Sequence, residues 1–280
     1  MNNSTRDSFT QNLTIAAVQM VSTADFETNL DTAEKLIREA GSGGANMVVL
    51  PEYFSLMAHK EKDKFDYVEE HLSGEMQSRI SQLAKELRVW IVAGTHPIAS
   101  DEKERPYGRC YVFNDLGETV CWYDKIHLFD VDVKDNLGSY CESQYTKEGS
   151  EVVSFETPWG KIGLAVCYDL RFPELFRQLT EQGCEIFIMP AAFTHTTGKV
   201  HWLPLIQARA IENLCYFVAS AQGGEHENGR QTWGHSCIVS PWGKLIQELP
   251  KGEGYVIDSF DKEKQLSKRK EFPVLSHKKL

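Results

Sequence analysis

The chain has 280 residues and sets 30 Lys and Arg against 40 Asp and Glu, a formal net charge of −10. Its apolar and charged fractions are those of an ordinary globular protein, and its length suffices for a sizeable core. The acidic balance argues against nucleic acid or an anionic membrane as the main partner, and no apolar stretch approaches a bilayer span.

The chain starts "MNNSTRDSFTQN". This is polar, without the apolar region of a secretory signal, so residues 1–12 read as a disordered or peripheral tail and a cytoplasmic location is expected. A buried strand follows in "LTIAAVQM" (13–20), then helical periodicity over Asn29–Ala40 and a strand in "NMVVLP" (46–51). A helix over Glu75–Leu87 and a strand in "VWIVAG" (89–94) come next. A hairpin is predicted to turn near "NDLGE" (114–118), and a long irregular loop runs from about 130 to 150.

The second half repeats the first. The strands are "KIGLAVC" (161–167), "EIFIMP" (185–190) and "CYFVASA" (215–221), separated by helices over Pro173–Glu181 and His201–Asn213. A hairpin near "SPWGK" (240–244) closes it. "GANMVVLP" (44–51) matches "GCEIFIMP" (183–190) in pattern. Each half reads β-α-β-α-β and then a hairpin. The predicted fold is therefore α/β: one domain over 13–262, a four-layer α-β-β-α sandwich with a pseudo-twofold repeat. The alternative is one open doubly wound sheet. The end, "SFDKEKQLSKRKEFPVLSHKKL" (259–280), is charged and then extended. Residues 263–280 read as a C-terminal extension crossing to another surface or a second subunit.

The seven cysteines are Cys110, Cys121, Cys141, Cys167, Cys184, Cys215 and Cys237. An odd number with no CxxC pair fits neither a disulfide framework nor a zinc site. Cys110, Cys121, Cys184, Cys215 and Cys237 read as inert core thiols. Cys167 differs, because it ends an apolar run and precedes Pro173, a first-turn helix residue. Ligands bind at the carboxyl ends of strands in α/β sheets, where a thiol near peptide N–H groups is either a nucleophilic thiolate, which both features favour, or one more inert core cysteine. Glu52 stands at a strand's end in the first half, where it is either a desolvated general base or a surface glutamate. Lys125 follows the first hairpin among apolar residues, either stabilising an oxyanion or snorkelling to water. Arg171 either clamps a substrate carboxylate or pairs with Asp169 or Glu174. None of His127, His195, His201 and His235 stands in a spacing tied to Cys167. There is no HExxH, GxGxxG or Walker loop, and "AQGGEHENGR" (221–230) follows no phosphate-binding pattern.

Four blocks in order, "VVLPE", "YDKIHLF", "GLAVCYDLRFPEL" and "HWLPLIQARAIENLCYFVASAQ", resemble the nitrilase superfamily of carbon–nitrogen hydrolases over roughly residues 13–262. The resemblance implies an α-β-β-α sandwich that hydrolyses an amide C–N bond through a thioester, with no metal or organic cofactor. It implies Cys167 as nucleophile, Glu52 as general base and Lys125 as oxyanion lysine. Glu142 matches a further family glutamate, and the backbone N–H of Tyr168 is a second oxyanion donor. Within the superfamily the chain is most similar to the Nit subgroup, through "PAAFTHTTGKVHW", "GHSCIVSPWG" and "FPVLSH". The branch it resembles hydrolyses deaminated glutathione to 2-oxoglutarate and cysteinylglycine. The sister branch, the ω-amidases, acts on 2-oxoglutaramate and 2-oxosuccinamate and typically has Ala in place of Pro173. Gln207 departs from the pattern, which has Arg there. The resemblance further implies that Arg171, Phe193 and Thr197 contact an anionic 2-oxo acid end, and that the protein forms a homodimer or larger homo-oligomer.

Overall fold

In the computed structural model, which describes residues 12–133 and 138–279, the first strand, β1 (Thr14–Gln19), already decides the layering. Ile15 and Ala17 enter a core shared with a second sheet, while Ala16 and Val18 enter a core beneath helices. Alternate residues of a strand point to opposite faces, so a strand apolar on both faces must be covered on both. The expected tail over residues 1–12 lies, apart from Asn12, outside the described residues.

The first half continues with α1 (Phe26–Ser42), β2 (Met47–Val49), α2 (Glu75–Leu87), β3 (Trp90–Ile98), β4 (Tyr107–Phe113) and β5 (Thr119–Asp124). A short ribbon follows, β6 (Asp130–Asp132) and β7 (Ser139–Cys141). The second half comprises β8 (Ser154–Thr157), β9 (Gly160–Leu164), α3 (Pro173–Glu181), β10 (Ile186–Ala191), α4 (His195–Asn213), β11 (Tyr216–Ala221), β12 (Ser236–Val239) and β13 (Leu245–Leu249). The chain then passes through β14 (Gly254–Ser259) into α5 (Lys262–Glu271).

One six-stranded sheet has the order β14-β1-β2-β3-β4-β5, the other β13-β12-β11-β10-β9-β8. In each, three central strands are parallel and a meander follows: β1-β2-β3 then β4 and β5, β9-β10-β11 then β12 and β13. An antiparallel strand, β14 or β8, closes the other side. The repeat is therefore structural. There are two sheets, so the single doubly wound sheet does not form. Met47, Val49 and Val92 face Leu164, Ile188 and Val218 in the shared core, and α1 with α2 covers the outer face of the first sheet. The two hairpin turns correspond, with Gly117 (φ +78°) and Gly243 (φ +76°) in the left-handed region each turn needs.

Three elements differ from expectation. Helix α4 begins at His195, six residues before the periodicity shows it. "HTTGKV" is rich in poor helix formers, and packing overrides that weak propensity. The C-terminal segment is not extended. Asp261 caps α5 by accepting the Lys264 N–H at 2.9 Å. Gln265 then donates to the carbonyls of Glu185 (2.7 Å) and Leu214 (2.8 Å), so the helix folds back onto its own subunit. Finally, β9 stops at Leu164, three residues short of Cys167.

Candidate active site

The parallel strands of both sheets end at one cavity of about 400 Å³. Glu52 reaches it from the end of β2. Gly94 on β3 passes so close that a Cβ there would stand 1.9 Å from the Pro51 carbonyl oxygen, which leaves room only for glycine. The Glu52 carbonyl accepts from the Gln222 amide at 3.0 Å, and Gln222 also donates to Ser22 Oγ at 2.8 Å, bolting the second sheet to the first. The next residue, Tyr53, sits at φ +58° with its N–H on Thr95 Oγ1 at 3.1 Å.

Lys125 follows β5. Its Nζ donates to Glu52 Oε1 at 2.8 Å and to Glu142 Oε1 and Oε2 at 2.9 and 2.7 Å. The side chain is only 2% exposed, so it does not snorkel. Burial works against its charge, but Glu142 and Glu52 outweigh that and hold the ammonium well above the ordinary lysine range. Glu142 opens a 3₁₀ turn directly after β7. It also accepts the Phe129 N–H at 2.7 Å and the Tyr53 O–H at 3.3 Å. Burial would raise its carboxyl, yet Lys125 keeps it below the usual carboxylate range.

Cys167 is placed by Asp169. That buried carboxylate accepts the Val166 N–H and the Tyr123 O–H, each at 2.7 Å, and the His127 N–H at 3.1 Å. His127 Nδ1 lies 2.7 Å from it as well. The Val166 bond ends the strand path and starts a 3₁₀ turn over Cys167–Arg171. Cys167 takes φ +48°, a strained conformation for a side-chain-bearing residue that costs of order 1 kcal/mol or more. The turn carries the thiol off the sheet and into the cavity, beside Glu52.

The sequence places a ready thiolate here, and the structure differs. Burial first, then the charge of Glu52, pushes the thiol well above its ordinary value, and Lys125 and the Ala192 N–H only partly offset this. The sulfur therefore rests protonated, beside the carboxylate that can take its proton. One oxygen of Glu52, Oε2, has no hydrogen-bond partner among the described residues.

Glu52, Lys125, Glu142, Cys167, Tyr168, Phe193 and Thr197 all line the cavity; Arg171 does not. Its guanidinium lies over the rings of Tyr168 and Phe193, at 5.7 and 5.2 Å, and donates to His201 Nδ1 at 3.2 Å. It forms no ion pair with Asp169, whose oxygens are taken by Val166, Tyr123 and His127. Gln207 donates to the Gly243 carbonyl at 2.8 Å, away from the cavity. Sequence reasoning missed Gln222, Tyr53 and Arg230, which line or brace the site. Nothing in the spacing of "AQGGEHENGR" marks Arg230, because a loop contact is set by the fold. Cys110, Cys184, Cys215 and Cys237 are buried and Cys121 partly so, with thiols pushed up by burial.

Two buried histidines near the site predict acid sensitivity. Burial holds His96 down at about 3 and His226 at about 4, against 6.5 when free. Between those values the unfolded chain binds more protons than the folded one, so stability falls as pH drops below 6.5, by about 1.4 kcal/mol per pH unit per group. Melting curves between pH 7 and 4.5 should show this slope, and His96→Gln should roughly halve the part due to the pair. An unchanged slope would remove His96 from the account.

A buried thiol beside a carboxylate and an ammonium, where two stacked sheets present their strand ends, is the equipment of a cysteine-dependent acyl hydrolase. The profile of the carbon–nitrogen hydrolase family matches residues 14–266, and the chain belongs to that family. It is similar to the deaminated glutathione amidase of Yersinia enterocolitica, 38% identical over 95% of this chain and 93% of that protein. It is also similar to the deaminated glutathione amidase of Bos taurus, 40% identical over 97% of this chain and 84% of the bovine one. Among solved structures, the C. elegans NitFhit protein superposes with a TM-score of 0.89 at 33% identity over 96% of this chain, which spans 65% of NitFhit's length. The four-layer nitrilase-type sandwich and the carbon–nitrogen hydrolase class are thereby shown.

Proposed function

We propose that the protein hydrolyses deaminated glutathione to 2-oxoglutarate and cysteinylglycine. The observation that carries this reading is the meeting of Cys167, Glu52, Lys125 and Glu142 in one cavity, in a chain whose relatives bear that activity in their names.

In this reading Glu52 takes the thiol proton as Cys167 attacks the amide carbon. Lys125 cannot be the base, since its two carboxylates hold its proton in place. It instead faces the tetrahedral oxyanion, together with the Tyr168 N–H; the first N–H groups of a helical turn have no acceptor inside it. Each such donor contributes about 3 kcal/mol to the transition state. Glu52 then passes its proton to the leaving amine, which departs as cysteinylglycine and leaves a thioester on Cys167. Water, deprotonated by Glu52, cleaves the thioester and frees 2-oxoglutarate and the thiol. Glu142 holds Lys125 in place throughout. Phe193 and Thr197 contact the 2-oxo acid end, with the Arg171 guanidinium lying over the Phe193 ring.

The seven free thiols suit the reducing cytoplasm. The exposed Val200 and Ile211 on α4, with the exposed Trp242, suit pairing as a homodimer or a larger homo-oligomer.

A paired assay tests the activity. Purified protein is offered deaminated glutathione and 2-oxoglutaramate, and 2-oxoglutarate release is measured. Preference for the first is expected. Preference for the second, with ammonia released, would make the protein an ω-amidase.

A further inference from the structure

We propose that Lys64 selects the leaving group by binding the C-terminal carboxylate of the departing dipeptide, a subsite that rests on the amidase reading above. Lys64 stands in a 3₁₀ turn over Glu61–Tyr67 and lines the cavity with Pro106, Tyr107 and Thr146. This wall is built by the first half of the chain and the loop after it, whereas Phe193 and Thr197 come from the second half. Glu52, which returns the proton to the leaving amine, also comes from the first half. The amine therefore departs toward the Lys64 wall, and the acyl group keeps to the other. A leaving ammonia would need none of the room on the Lys64 side.

Lys64 is buried, 8% exposed. Its Nζ donates to Thr146 Oγ1 at 2.7 Å and to Glu61 Oε2 at 3.2 Å. An ammonium has three donors, and the third has no acceptor among the described residues. The Glu61 side chain is half exposed, so water screens that ion pair and weakens it. Stapling the turn to Thr146 would need only a neutral donor. A buried ammonium whose counter-ion is wet is better satisfied when a second carboxylate enters the cavity and displaces water. The distance fits. Thr146 follows Glu142 by four residues, across the 3₁₀ turn Glu142–Gln144. At about 2 Å per residue, that sets Lys64 on the order of 6–8 Å from the reacting groups. Lys64 also helps to hold the Glu142 carboxyl down, as a charge at that range would. An extended dipeptide spans about 7 Å from its amine to its carboxylate. Cysteinylglycine leaving from Cys167 thus brings its carboxylate to the Lys64 ammonium.

The test compares deaminated glutathione with its glycinamide analogue, in which only the C-terminal carboxylate becomes a carboxamide. The ratio of kcat/KM values is read, since a ratio is insensitive to the fraction of protein folded and to any effect of Lys64 on Glu142. Wild type should favour the carboxylate by at least about 10-fold, and Lys64→Met should bring the ratio to within about 2-fold of unity. A wild-type ratio near unity, or an undiminished preference in Lys64→Met, overturns the proposal. A second readout needs neither turnover nor a folded variant. S-methylcysteinylglycine, the leaving dipeptide with its thiol blocked, should slow alkylation of Cys167 by iodoacetamide in wild type, and its carboxamide should do so several-fold less. If wild type cleaves neither amide, the amidase reading fails and this protection still decides. Stronger protection by the acid supports the carboxylate subsite, while equal protection by acid and amide, or none by either, overturns it.

Discussion

Lys125→Met is expected to destabilise the protein by about 3–5 kcal/mol at neutral pH and to abolish activity together with it. Methionine nearly fills the lysine's volume, so the loss is electrostatic rather than a cavity. The ammonium lies 2.8 Å from Glu52 and 2.7 Å from Glu142. Without it two buried carboxylates face each other uncompensated, and at least one must take up a proton. This account has a pH signature. Glu142 is held below its ordinary range by Lys125, so the stability it contributes is present above the carboxylate's unfolded value and is lost as pH falls through the folded one. The gap between wild type and variant should therefore narrow in acid. Urea midpoints at pH 7 and at pH 4, below the carboxylate's free value, measure it. A gap that stays constant would mean that the lysine acts by packing alone.

Cys167→Ala should lower turnover by at least about 10⁴-fold, because Cys167 is the cavity thiol that lies beside Glu52 and Lys125. Cys215→Ala should keep turnover near wild type, although its sulfur is hydrogen-bonded to the Cys184 and Asn213 carbonyls and to Arg269 and its loss costs stability. Comparable inactivation of both variants, each still folded, would sink Cys167 as nucleophile. Cys167→Gly sharpens the comparison. It should be equally inactive yet more stable than Cys167→Ala by of order 1 kcal/mol, since glycine adopts φ +48° without strain. Thermal melting of the two variants checks this, and equal midpoints would show that the turn stores no strain.

Much of the fold was legible in the chain. Helices α2 and α3 fall where the sequence puts them, at Glu75–Leu87 and Pro173–Glu181, because both carry a continuous apolar face over an uninterrupted run. The paired halves were legible for the same reason, since strand, helix and turn signals recur in one order. The start of α4 was not, because "HTTGKV" is helical only through what packs against it. Nor was the end of β9, because Asp169 caps a backbone N–H three residues before it, and apolar periodicity says nothing of such a bond.

The same division holds for the site. Glu52, Lys125 and Cys167 each stand where an apolar run ends, and strand ends are where an α/β fold meets its ligand. By itself the sequence thus determined the layered architecture and which polar groups stand at the strand ends, because periodicity and strand termini are local properties. Only the tertiary structure decided that the thiol rests protonated, that Glu142 shares Lys125 with Glu52, and that Arg230 rather than Arg171 lines the cavity. Burial and charge pairing depend on residues far apart in the chain, such as Glu52 and Gln222, separated by 170 positions, and no local pattern carries that information.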